Sequence, residues 1–210
     1  MKTDWEIRRE IVHYAKCAYQ KGLVAATDGN ISVRIMGDRL MITPTGAVFE
    51  TLRPDDLIYV NFLGQKLQGN SLPSSELPLH LEIYQQRANV EAIIHAHPPV
   101  ATAFTIAGES LAQPVIPEVV TMFGKIPTAP YATPASEEGA QVVSNLIHDH
   151  DLILLDHHGA VAVGTSLQDA FLKLEKLEHT ASTLLAAKQL GEIKPLSAEQ
   201  LQKLKAIHYK

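Results

Sequence analysis

Apolar residues recur at helical spacing over residues 5–21, and the pattern breaks at Gly22, a residue suited to a helix C-cap. A polar turn, Thr27-Asp28-Gly29-Asn30, follows. Alternation then takes over: residues 31–35 and 40–43 read as strands flanking Met36-Gly37-Asp38-Arg39, which has hairpin-turn chemistry, and residues 57–61 and 65–68 flank a second glycine-containing turn. Ser74-Ser75-Glu76 opens a helix that runs to about Arg87, with Pro78 tolerated in its first turn. The run Ala92-Ile-Ile-His95-Ala-His97-Pro-Pro reads as a buried strand stopped by proline. Residues 98–107 form a helix ended by Gly108, and residues 126–129 a short strand. Residues 136–150 form a helix capped by Ser136, with Glu137 and Glu138 favouring its dipole. Residues 152–156 and 160–163 are the last strands, split by His157-His158-Gly159. A long amphipathic helix over 166–190 and a short one over 197–207 complete the chain.

Hairpins join some of these strands and helices separate others, which predicts an α/β architecture: a mixed sheet with helices packed on both sides. The chain has 210 residues and 46% hydrophobic content, enough for one domain over residues 1–210 with a full core. Its 18 basic and 23 acidic residues show no lysine or arginine cluster, which argues against a nucleic-acid or polybasic membrane surface. Bound phosphate would have to be held locally. The lone Cys17 lies on the apolar side of the first helix and reads as a small core residue; having no partner, it excludes an internal disulfide. No apolar stretch is long enough to span a bilayer, and the N-terminus lacks the apolar region of a secretion signal. A soluble, cytoplasmic protein is the expectation.

Of the ten histidines, His13, His148, His150 and His179 sit in or at the ends of amphipathic helices and read as solvated. His95 and His97 are different. Strand side chains alternate faces, so these two point the same way from a rigid base and can chelate one ion. A third imidazole from His157 or His158 would leave an open position at a divalent metal, where substrate oxygens can bind and be polarised. The turn direction at this pair cannot be read from alternation, and both remain candidates. Three polar segments, Thr27-Asp28-Gly29-Asn30, Thr43-Pro44-Thr45-Gly46 and Ser74-Ser75, carry what an oxyanion needs: glycine for close backbone approach, hydroxyl donors, and a helix N-terminus. Together with the metal strand they suggest a small phosphorylated substrate. Glu76 beside them should favour its carboxylate form and is placed to act at a substrate carbon. His80, one turn on, reads as a neighbour of the ligands or as a solvated histidine.

The segments GNISVR, MITPTG, LPSSELPLHLEIYQ, EAIIHAHPP, PTAPYAT and LLDHHGAVAVG occur in that order over about residues 5 to 190. On these residues the chain resembles the class II aldolase/adducin family, in particular its L-fuculose-1-phosphate aldolase branch. The resemblance implies a three-layer α/β/α domain around a largely antiparallel sheet, assembled as a homotetramer with active sites at subunit interfaces. It implies Zn²⁺, or another divalent ion such as Mn²⁺ or Co²⁺, held by His95, His97 and His158 with Glu76, and phosphate held by Gly29, Asn30, Thr45, Gly46, Ser74 and Ser75. The implied reaction is metal-dependent cleavage of a ketose 1-phosphate, of the L-fuculose 1-phosphate kind, to dihydroxyacetone phosphate and a small aldehyde. It would pass through a metal-stabilised enediolate, with Glu76 moving the proton. The branch supplies a tyrosine from a neighbouring subunit ahead of PTAPYAT, as the acid for the aldehyde oxygen. Here residues 113–124 contain no tyrosine, and Glu118 is their only ionisable group. Glu118 and the C-terminal Tyr209 are therefore the candidates for that proton. A sugar-phosphate 4-epimerase or a methylthioribulose-1-phosphate dehydratase would use the same metal site. A non-enzymatic adducin-like module would have no need of the four metal residues present here.

Overall fold

The computed structural model describes residues 2–36 and 38–208, so the proposed turn residue Gly37 lies outside the described residues. Eight strands form one sheet: β1 (Asn30–Ile35), β2 (Arg39–Ile42), β3 (Ile58–Asn61), β4 (Lys66–Gln68), β5 (Ala92–Ala96), β6 (Thr128–Ala129), β7 (Leu152–Leu155) and β8 (Gly159–Gly164). Their order is β4-β3-β2-β1-β5-β8-β7-β6. All neighbours are antiparallel except β6 and β7. Seven α-helices accompany the sheet among the described residues: α1 (Asp4–Gln20), α2 (Leu77–Gln86), α3 (Pro99–Ile106), α4 (Pro117–Phe123), α5 (Glu137–Ile147), α6 (Leu167–Leu190) and α7 (Ala198–His208).

The two-residue period of the central strands produces three layers. Ala92, Ile94 and Ala96 of β5, with Ala160 and Ala162 of β8, pack into a core shared with Ile11 and Ala15 of α1 and Leu174 and Leu177 of α6. Ile93, Val161 and Val163 face the other way, against Ile83 of α2 and Val143 and Ile147 of α5. Small residues under the long α6 and branched ones under α2 and α5 set the spacing of each layer. Cys17 is partly buried against the first of these cores and is a free thiol. Among the described residues, no helix is long and apolar enough to cross a membrane.

Two elements differ from the sequence reading. The second helix begins at Leu77 rather than Ser74, because Ser74 closes a turn of its own: its hydroxyl accepts from the Glu76 N–H at 3.2 Å and its carbonyl from the Leu77 N–H at 3.0 Å. Ser74 and Ser75 therefore precede the helix, and Glu76 is its N-cap. The stretch around Glu118, where the pattern predicts no element, contains the short α4. Pro117 presets its first turn, Glu118 favours its dipole, and Gly124 ends it at a φ of 67°.

Register decides what meets at the centre of the sheet. Asn30 of β1 lies opposite His95 of β5, so the two side chains share the face covered by α2, with Ser32 next along on the same face. The N-terminal end of α2 thus brings Glu76 over the end of β5.

Candidate active site

His95 is fully buried near the end of β5, and its Nδ1 lies 3.0 Å from the carbonyl oxygen of Ala160 on the paired strand β8. A carbonyl only accepts, so Nδ1 carries a proton, and Nε2 faces the cleft. His97 lies just beyond β5, tied by its main-chain N–H to the Leu23 carbonyl at 2.9 Å. Its Nε2 stands 2.9 Å from Nε2 of His95. His158 comes from the turn between β7 and β8, its ring centroid 4.7 Å from that of His95 and 4.8 Å from that of His97. One nitrogen from each ring lies within 4.8 Å of the others. Glu76 completes the group, with Oε2 2.9 Å from His95 Nε2 and Oε1 3.7 Å from His158 Nε2. Three imidazole nitrogens and one carboxylate converging on a point are a donor set that fits a divalent transition-metal ion.

The turn between β7 and β8 separates the two adjacent histidines. His157 takes a φ of 57°, its main-chain N–H donates to Thr105 Oγ1 at 3.0 Å, and its ring pairs with Asp156 at 2.9 Å on the exposed side. His158 then turns inward. Gly159 permits the close packing behind it: a Cβ there would stand 2.8 Å from Cδ2 of His97. Gly29, at a φ of 80°, is equally constrained, since a Cβ would meet the His95 carbonyl oxygen at 3.0 Å.

Charge and burial prepare these groups for a cation. Burial alone would raise the Glu76 pKa, but the hydrogen bond and charge of His95, with His158 and Asn30, outweigh it and hold the carboxyl well below its usual range. Burial, and then the charge of His95, push His158 down to about 4 and lower His97 in the same sense. Near neutral pH those two rings offer lone pairs rather than positive charge.

The cleft in front of the histidines has a volume of about 200 Å³. Gly29, Asn30, Thr45, Gly46, Ser74 and Ser75 line it together with Glu76, His97 and His158, and Pro134 and Ala135 form its opposite wall. All six phosphate-binding candidates are thus brought to one cavity with Glu76, His97 and His158. Asn30 is mostly committed elsewhere: its Nδ2 donates to Glu76 Oε2 at 3.3 Å and its Oδ1 accepts from His80 Nε2, leaving one amide N–H for an anion.

Glu118 stands apart from this cleft within one chain. It is exposed on the first turn of α4 and is not among the residues lining this cleft. Tyr209 lies outside the described residues. His80, read as a neighbour of the ligands or as solvated, is not solvated: it has no exposed surface, burial pushes it down to about 3, and its Nε2 meets Asn30 Oδ1 beside Glu76. Sequence reasoning passed over Asp28, whose Oδ2 lies 3.5 Å from Nδ1 of His97 at the rim of the cleft. Its place between Thr27 and Gly29 was visible, but the direction of a loop side chain was not.

A family profile described as Class II Aldolase and Adducin N-terminal domain matches residues 9–185. The chain is 31% identical over 211 residues to the 3-oxo-tetronate 4-phosphate decarboxylase of Escherichia coli K12, covering 98% of each chain. It is 34% identical to the L-fuculose phosphate aldolase of Haemophilus influenzae, covering 94% of this chain and 91% of the relative. Among solved structures, an L-fuculose 1-phosphate aldolase superposes with a TM-score of 0.88 at 30% identity, covering 98% of this chain and 97% of that one.

Proposed function

The chain belongs to the class II aldolase and adducin family, and from that premise we propose that it is a metal-dependent lyase that splits a carbon–carbon bond beside the ketone of a small sugar phosphate. The primary reading is aldol cleavage of a ketose 1-phosphate of the L-fuculose 1-phosphate kind to dihydroxyacetone phosphate and a small aldehyde. One observation carries it: three imidazoles and a carboxylate converge beside a cleft whose lining also includes glycine, threonine and serine.

His95, His97, His158 and Glu76 would hold the ion, with Zn²⁺ the proposed metal. When bound, a divalent cation supplies the positive charge that stabilises the enediolate left by cleavage, so no Schiff-base lysine is needed. Ser74, Ser75, Thr45 and the backbone at Gly29 and Gly46 hold the phosphate and fix the register of the sugar along the cleft. The electron pair of the broken bond passes into the ketone, and Glu76 delivers the proton that turns the resulting three-carbon unit into dihydroxyacetone phosphate. A base must also remove the proton of the departing alcohol as it becomes an aldehyde. In a homotetramer with sites at subunit interfaces, which this reading includes, Glu118 or Tyr209 of a neighbouring copy is the proposed base. A monomeric mass in light scattering would contradict that part.

The lining of the cleft favours a second reading. Loss of CO₂ from a 3-oxo acid leaves the same three-carbon enediolate but releases no alcohol oxygen, so it needs no such base. The described residues lining the cleft include no tyrosine and no lysine. Decarboxylation of 3-oxo-tetronate 4-phosphate would also yield dihydroxyacetone phosphate, so one coupled assay covers both reactions. Zinc-loaded protein is assayed against L-fuculose 1-phosphate, related ketose 1-phosphates and 3-oxo-tetronate 4-phosphate, with a His95→Ala control. Release that needs His95 supports the lyase and ranks its substrates; no release from any of them at full metal occupancy contradicts it.

A further inference from the structure

Behind Glu76 a file of buried polar side chains runs beneath α2 into the apolar core. Asn30 Nδ2 lies 3.3 Å from Glu76 Oε2, Asn30 Oδ1 meets Nε2 of His80, Nδ1 of His80 lies 2.6 Å from Ser32 Oγ, and Ser32 Oγ lies 2.9 Å from the Tyr84 hydroxyl. Ser32 and His80 have no exposed surface, Tyr84 is 3% exposed and Asn30 4%. Such a chain is tolerated in a core only if every donor finds an acceptor, and this requirement sets the direction of each proton.

The direction follows from the carboxylate end. A carboxylate only accepts, so the amide must turn Nδ2 toward Glu76 and Oδ1 toward His80. Oδ1 also only accepts, so His80 carries its proton on Nε2. A second proton on Nδ1 would place a cation in a fully buried site among neutral Asn30, Ser32 and Tyr84, so Nδ1 is an acceptor. Ser32 then donates to His80, and Tyr84 donates to Ser32. Every proton in the file points toward Glu76.

We propose that His80 is a positioning residue for Glu76: its neutral Nε2–H tautomer, set by Ser32 and Tyr84, locks the Asn30 amide so that an uncharged donor always faces the proton-carrying carboxylate. A flipped amide would aim Oδ1 at Glu76 and push the carboxylate out of line, without altering any histidine of the metal group. The proposal rests on the reading of Glu76 as the group that moves the proton.

Two measurements test it. Neutron diffraction on the zinc-loaded protein should show deuterium on Nε2 of His80, none on Nδ1, and Ser32 deuterium directed at Nδ1; deuterium on Nδ1 overturns the proposal whether or not a substrate is known. A pair of variants tests the consequence. His80→Met fills similar volume without a donor, whereas His80→Gln keeps an amide N–H toward Asn30. His80→Met should lose roughly 10–100-fold in kcat with zinc content nearly unchanged, and His80→Gln should recover at least about tenfold of that loss. Unchanged kcat in His80→Met, or equal losses in the two variants, would show that His80 only fills space.

Discussion

His157 and His158 are neighbours in the chain and opposites in the site. The left-handed backbone of His157 sends its ring to Asp156 at the surface, while His158 closes on His95 and His97. His158→Ala should therefore lose stoichiometric zinc and lower activity by at least about 100-fold, whereas His157→Ala should keep its zinc and stay within a few-fold of the parent; elemental analysis of purified variants, beside the assay, checks both. The pairing of His95 with His97 was legible because strand geometry makes every second side chain a neighbour. The choice between His157 and His158 was not legible from the residues, since it turns on one φ angle in a three-residue reversal. The role of Glu118 stayed open for a related reason: an ionisable group in the right stretch of sequence says nothing about which way a helix will turn it.

The segment His95-Ala-His97 leads directly into α3, whose N-terminus is held from outside. Both oxygens of Glu178, on α6, accept main-chain N–H groups of Val100 and Ala101 at 2.9 Å. The carboxylate satisfies two orphan donors and complements the helix dipole, a combination whose loss costs about 1–2 kcal/mol. Glu178→Ala should lower denaturant stability by about that amount and weaken zinc retention against a chelator, because the anchor of α3 sits three residues from His97. Stability loss with unchanged zinc affinity would mean that α3 does not brace the metal strand. Most helices and strands were legible from periodicity and caps. The start of α2 was displaced because Ser74 satisfies its own turn rather than the helix, and α4 escaped because seven residues give too few turns for an apolar stripe to repeat.

Across the whole molecule, acid should unfold the metal-free protein early. His80 and His158 have pKa values pushed from 6.5 to about 3 and about 4, first by burial and then by the charge of His95. Below pH 6.5 the unfolded chain takes up protons that the folded chain refuses, so stability falls as pH drops toward 4. His80 alone would account for on the order of 2 kcal/mol between pH 6.5 and 4.5. Glu76, held below its ordinary 4.5, adds a loss of the same sign below pH 4.5. Denaturant midpoints across this range should show the fall, and His80→Gln should flatten it; a flat profile for the parent protein would contradict the burial argument. The most direct test of the central claim is a zinc titration of dihydroxyacetone phosphate formation. The protein is stripped, reloaded stepwise, and assayed with the best substrate of the panel. Activity that is lost on stripping and returns in proportion to zinc, saturating at one ion per chain, is the predicted result. Full activity in the stripped protein would contradict it.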